Sequence, residues 1–200
     1  MNADSNARQR ILESARDLIY SRSYADVGVA AICERAGVKK GSFYHFFPSK
    51  QELTLAVIDE LFVAFKERIY KEAFSSDLAP LDRLRFFVER AYQLQREMTD
   101  HTGQTLGCPF GNLAAEMSTQ DTEIRQKVDM VFQQLEHHFA VTLEDAVEKR
   151  EIGEIDIPAT ARAMVAYVEG IMLMAKTRND PEIIRQLGPA MVDIRIPHSN

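Results

Sequence analysis

Between residues 39 and 45 the chain offers Lys39, Lys40, Ser42, Tyr44 and His45, a run of cationic and hydroxyl donors with no acid among them. Such a set suits phosphate oxygens and the acceptor-rich edges of bases. Phe43 and Phe47, four residues apart, form the opposite, inward side of the same short helix together with Val38. Gly41 leaves one turn without side-chain bulk, so its backbone can approach a groove closely. A different chemistry is offered by Gly107-Cys108-Pro109-Phe110-Gly111-Asn112. There a thiol stands at a loop-to-helix junction, where helix N-terminal amides favour a thiolate, with His101 and Asn112 as polar sequence neighbours. The alternative role for Cys108 is a small buried residue at a helix start. His137 and His138 are adjacent and point some 100° apart on a helix, so they are not expected to share a metal.

These residues need elements to hold them, and the pattern along the chain is helical throughout, with no alternating stretch. A first helix is expected from about Ala7 to Tyr20, and a short one from Val29 to Ala36 with Val29, Ile32, Cys33 and Ala36 inward. Gly37 supplies a left-handed stop, and Lys40 to Phe47 forms the next helix, closed by Pro48. Two short helices joined by a three-residue Gly turn make a helix-turn-helix or, equally on spacing alone, a plain three-helix bundle. Ser49 and Glu52 read as a capping box opening a helix to about Phe74. Further helices are expected over about 80–99, 109–117, 121–149 and 156–177, and a last one from Asp180 carries Ile183, Ile184, Leu187, Met191 and Ile194. The fold class is all-α, about nine helices. Residues 1–50 are the expected helix-turn-helix head, and 51–200 the helical body.

Of 200 residues 46% are hydrophobic and 27% charged, an ordinary globular composition. The net charge of −6 hides an asymmetry: residues 1–50 carry eight Lys and Arg against five acids, whereas the remainder is acidic. A locally basic head on an acidic body suits a protein that presents one end to a polyanion. No signal-peptide pattern is present, and Ala163–Ala175, interrupted by Glu169, is too short to span a bilayer. Two cysteines make no disulfide framework. A cytoplasmic protein is expected. There is no phosphate loop, HExxH, GxSxG or metal-spaced acidic cluster, so neither an enzyme nor a cofactor is expected; a thiol-dependent enzyme using Cys108 is the remote alternative.

Residues 35–50, Arg-Ala-Gly-Val-Lys-Lys-Gly-Ser-Phe-Tyr-His-Phe-Phe-Pro-Ser-Lys, resemble the signature of TetR-family repressors, and Ala7 to about Ile58 fits that family's head. The resemblance implies a dimeric, ligand-responsive repressor of a palindromic operator on double-stranded DNA, with the helix around Lys40–Phe46 in the major groove. Tyr44 and Lys50 then stand where relatives touch phosphate. Val27-Gly28 replaces the usual Thr or Ser at the entry to the second helix, and Lys39 replaces a usual Ser. Gly28, Lys39, Lys40, Gly41, Ser42, Tyr44, His45 and Lys50 are therefore the expected DNA-binding set. Phe46 is more apolar than its position usually is.

The segment from Gly107 to Glu116 resembles one in a subgroup that includes electrophile- and oxidant-responsive members. By resemblance, the last two helices of each subunit form a four-helix dimer bundle, and the middle helices hold a small apolar or electrophilic effector. Phe62, Phe65, Phe87, Tyr92, Cys108, Phe110, Phe139 and Tyr167, with Met130 and Met164, are the candidate lining, from which core residues are not separable by pattern. An interaction module that kept this fold without DNA binding is the other reading.

Overall fold

The computed structural model describes residues 3–74 and 77–198, which form nine helices and no strand. They are α1 (Ala3–Ser21), α2 (Val29–Ala36), α3 (Lys40–Phe46), α4 (Lys50–Phe65), α5 (Pro80–Thr102), α6 (Pro109–Met117), α7 (Thr122–Glu148), α8 (Ile157–Arg178) and α9 (Glu182–Leu187). α4 continues through a π-helical turn, Lys66–Tyr70, into a last α-turn, Lys71–Ala73. The chain divides into two compact units, one running to Ala64 and including Pro109–Asp129, the other made of Phe65–Cys108 and the chain from Met130.

In the first unit, α1, α2, α3 and the start of α4 close around Ile11, Ala15, Ile32, Phe43, Leu53 and Ile58, all fully buried. Each large side chain so placed contributes roughly 1.5–3 kcal/mol through removal from water. α2 stops where Gly37 turns left-handed (φ 64°), and the Gly37 and Val38 amides donate to the Glu34 and Cys33 carbonyls. Ser49 Oγ accepts the Glu52 amide at 3.0 Å, the Ser half of the expected capping box. α6 buries Phe110, Leu113 and Met117 at i, i+3, i+7, and Asp121 then accepts the Glu123 and Ile124 amides to start α7.

In the second unit, the π turn is a local widening in which the Lys71 amide donates to the Lys66 carbonyl, five residues back. It rotates Ile69 and Tyr70 into the interior, where both are buried. α8 begins as expected, Asp156 capping the Ala159 amide at 3.0 Å with Pro158 in the first turn. It runs 22 residues and is, by length and composition alone, long and apolar enough to cross a membrane. Its Met164, Val168, Ile171 and Ala175 are buried core, as in a core helix of this length and composition.

The last helix departs from expectation more clearly. α9 is only six residues, and Gly188–Asp193 continues as a 3-10 helix rather than an α-helix to Ile194. Pro189 has no amide to continue the α ladder. Gly188 packs so tightly that an added Cβ would lie 2.0 Å from Val88 Cγ1 on α5. We expect Gly188→Ala to destabilise the protein by about 1–3 kcal/mol through overpacking, measured by urea unfolding.

Candidate nucleic-acid interface and thiol cluster

α3 presents the residues that the sequence singled out. Phe43 and Phe47 are buried, Val38 is half-buried, and Lys39, Lys40, Gly41, Tyr44 and His45 are exposed, with Ser42 half-exposed. Tyr44 keeps 54% of its surface while its ring meets Phe43 edge-on at 5.2 Å, which fixes its direction outward. Three other cations of the head are engaged: Arg10 donates to the Ala36 carbonyl, Arg35 pairs with Asp17, and the Arg8 guanidinium lies 5.1 Å over the Phe47 ring. Among the described residues no ion pair engages Lys39 or Lys40. The α3 N-terminus has no acid in its first turn, so its amide dipoles add to the same positive field.

Lys50 is placed differently from the rest. Its ammonium donates to the Tyr24 carbonyl at 2.6 Å and stands 3.8 Å over the Tyr24 ring, and burial pulls its pKa down while Glu116 opposes that shift. One of its three donors is thus committed to the turn before α2. Gly28 is extended and exposed and brings no side-chain cap to α2. Sequence reasoning missed the group holding that turn, Glu116 of α6, whose two oxygens accept the Tyr24 and Ala25 amides at 2.8 and 2.7 Å. A lone acid late in a short apolar helix was its only signal.

The second unit contains the thiol. Gln95 is buried on α5, and its side-chain amide both donates to the Gly107 carbonyl (2.9 Å) and accepts the Gly107 amide (3.0 Å). Asn179 bonds the Thr105 amide and the Gly103 carbonyl, so the loop leading to Cys108 is fixed from two sides. Gly107 itself is left-handed (φ +72°), and a Cβ there would meet the Met172 carbonyl oxygen at 3.3 Å. Gly107→Ala is therefore expected to cost about 1–2 kcal/mol, read from the thermal unfolding midpoint. The polar neighbours proposed from sequence were His101, which is exposed at the end of α5, and Asn112. Within this unit the Glu169 carboxyl of α8 lies within hydrogen-bonding reach of the Cys108 thiol. Burial pushes the Glu169 pKa up and the bond from Cys108 pulls it partly back. Tyr70 is raised too, first by burial and then by Cys108.

The aromatic candidates separate. Phe65, Phe87 and Phe139 join Tyr70, Phe74 and His138 in one cluster of mostly edge-on contacts at 4.5–6.3 Å. Phe62 and Phe110 pair with each other in the first unit. Tyr92 donates to Glu182 and Tyr167 to the Leu187 carbonyl, so both hydroxyls dock the C-terminal elements. Met130 is 52% exposed, which corrects its place among the lining residues; Met164 is fully buried.

His138 stacks on Phe74 at 4.7 Å with 8° between the rings. Its pKa is lowered, mainly by burial and then by His137. The unfolded chain then takes up this proton before the folded one, so stability falls as pH drops below about 6.5. His138→Phe is expected to flatten the decline of the unfolding midpoint between pH 7 and 5.

Residues 11–57 match the family described as bacterial regulatory proteins, tetR family, and residues 80–191 match the tetracyclin repressor-like C-terminal domain. Transcriptional regulator AcuR of Cereibacter sphaeroides is 33% identical over 180 residues, covering 89% of this chain and 80% of that protein. An uncharacterized HTH-type transcriptional regulator in the lacX 3′ region of Lactococcus lactis subsp. lactis is 29% identical over 181 residues, covering 90% and 88%. The crystal structure of regulatory protein TetR from Rhodobacter sphaeroides superposes with a TM-score of 0.83 at 28% identity, covering 95% of this chain and 99% of that one.

Proposed function

Because the chain belongs to the tetR family of bacterial transcriptional regulators, we propose that it is a cytoplasmic repressor that grips a palindromic operator as a homodimer and lets go when a small molecule binds its helical body. The observation that carries the DNA half is the acid-free outward face of α3, where Lys40, Tyr44 and His45 stand exposed on a helix anchored by Phe43 and Phe47. Lys39, Ser42 and Lys50 flank that face as phosphate donors, and Gly28 and Gly41 allow close backbone approach. Tyr44→Ala weakens binding to all sequences by roughly 1–2 kcal/mol, whereas changes at Lys40 or His45 alter which bases are preferred. Fluorescence anisotropy on a panel of duplexes separates the two effects.

The effector half rests on the second unit, where the aromatic cluster of Phe65, Phe87 and Phe139 and the Cys108–Glu169 pair offer an apolar surround and a thiol beside a carboxyl. A small apolar or electrophilic molecule suits that chemistry. Release requires the effector to prefer the DNA-incompetent arrangement; reversing occupancy from mostly bound to mostly free takes roughly 5 kcal/mol of such preference. For an electrophile the thiol supplies it covalently. Cys33 is buried and its pKa is raised by that burial, so N-ethylmaleimide is expected to modify Cys108 first and lower DNA affinity as it does. A Cys108→Ser variant that loses DNA affinity on the same treatment as fully as the native protein would remove the thiol from the account.

A further inference from the structure

The turn joining α1 to α2 spans residues 22–28, and four backbone groups of Tyr24, Ala25 and Asp26 are bound there by side chains from outside the turn or within it. Glu116 accepts the Tyr24 amide on one oxygen and the Ala25 amide on the other, at 2.8 and 2.7 Å. Lys50, in the first turn of α4, donates to the Tyr24 carbonyl at 2.6 Å and covers the Tyr24 ring. Ser23 Oγ accepts the Asp26 amide. One residue along α4, Gln51 donates to Asp121, the same carboxylate that caps α7. Lys127 pairs with Asp59, about two turns further along α4. The turn, the start of α4 and the α6–α7 corner are thus tied into one polar assembly within the first unit.

α2 starts four residues after Ala25, and its N-cap, Gly28, offers no side chain to hold it. The bonds that hold the turn therefore act, together with the packing of α2 on α1, on the direction in which α2, and with it α3, leaves the turn. We propose that Glu116 is the positioning residue of the DNA-binding head: its two-pronged grip on Tyr24 and Ala25 holds α2 and α3 in the DNA-competent arrangement, and withdrawal of that carboxylate releases DNA. A carboxylate receiving two amides makes charge-assisted bonds, and losing them corresponds to roughly ten- to hundredfold in an equilibrium. Glu116 sits at the far end of the short helix that begins directly after Cys108 in the chain. The inference rests on reading α3 as the DNA-reading element and names what controls it.

The test uses the full-length protein, a duplex that the native protein selects from genomic fragments, and the variants Glu116→Ala and Glu116→Gln. Glu116→Ala is expected to lose ten- to hundredfold in affinity for that duplex. Glu116→Gln keeps the volume but has one acceptor oxygen and no charge, so an intermediate loss is expected, whereas a space-filling role requires native affinity. Amide hydrogen exchange supplies the local readout. In the native protein the Tyr24 and Ala25 amides are protected, more so with DNA bound; in Glu116→Ala both exchange freely while the Ile11 and Ala15 amides of α1 stay protected. Native affinity in both variants would overturn the proposal, as would unchanged Tyr24 and Ala25 protection. Native protein that selects no duplex would instead overturn the DNA-binding reading beneath it.

Discussion

Replacing Lys40, Tyr44 and His45 together with alanine is expected to lower operator affinity by about 100- to 10,000-fold, leaving the unfolding midpoint near that of the native protein. The three side chains lie on the outer face of α3, so their removal opens no cavity: the core contacts of this helix are made by Phe43 and Phe47. Each lost contact to a phosphate or base edge is worth roughly 1–2 kcal/mol, and together they reach the stated range. Losing the Lys40 cation also removes about one unit from the slope of log affinity against log salt. A titration at three salt concentrations therefore distinguishes lost contacts from a misfolded head. Native affinity in this variant would mean that α3 does not read the operator.

Leu173→Arg is expected to convert a dimer to monomers and to weaken operator binding by two orders of magnitude or more. α8 is apolar on two sides. Met164, Val168, Ile171 and Ala175 are consumed inside the protomer, while Leu173 and Met174 remain 63% and 40% exposed. Ala166 and Gly170 precede them on the same side, and nothing lies within 4 Å of the position a Gly170 Cβ would take, so a second backbone can come near. α9 contributes less than its sequence promised, because Ile183, Ile184 and Met191 are buried in the protomer and Leu187 alone of its stripe in α9 is exposed. The weight of the proposed interface therefore falls on α8. An arginine at its centre would be buried without a partner charge. Two half-sites must be held by two linked heads about 34–36 Å apart, and unlinking them forfeits the effective concentration of the second head, a factor on the order of 10²–10⁴. Sedimentation velocity reads the first effect and anisotropy the second. A dimer of native affinity would place the interface elsewhere.

The head was the most legible part of the sequence, because its determinants are local. Gly37 stops α2, Phe43 and Phe47 orient α3, and Ser49 starts α4, each within a few residues of the feature it sets. The π turn at Lys66–Tyr70 had no such signal: no Gly or Pro marks it, and the burial of Ile69 and Tyr70 accompanies it. The α9 stripe suggested a longer helix because periodicity cannot register that Gly188 lies against Val88, one hundred residues away in the chain. The partners of the functional groups were equally out of reach. Glu116 reaches back 91 and 92 residues to the turn, and Glu169 meets Cys108 from another helix. The aromatic residues showed a second limit, since spacing alone did not divide Phe87 and Phe139, in one cluster, from Tyr92 and Tyr167, whose hydroxyls hold the C-terminal segment.

Selection of genomic DNA fragments on the purified protein at moderate salt tests the central claim most directly, run with and without N-ethylmaleimide. The account predicts enrichment of a palindromic site whose half-sites lie about one helical turn apart, lost when Cys108 is alkylated. No enriched fragment at moderate or low salt would contradict it, and would leave the fold serving an interaction other than DNA binding.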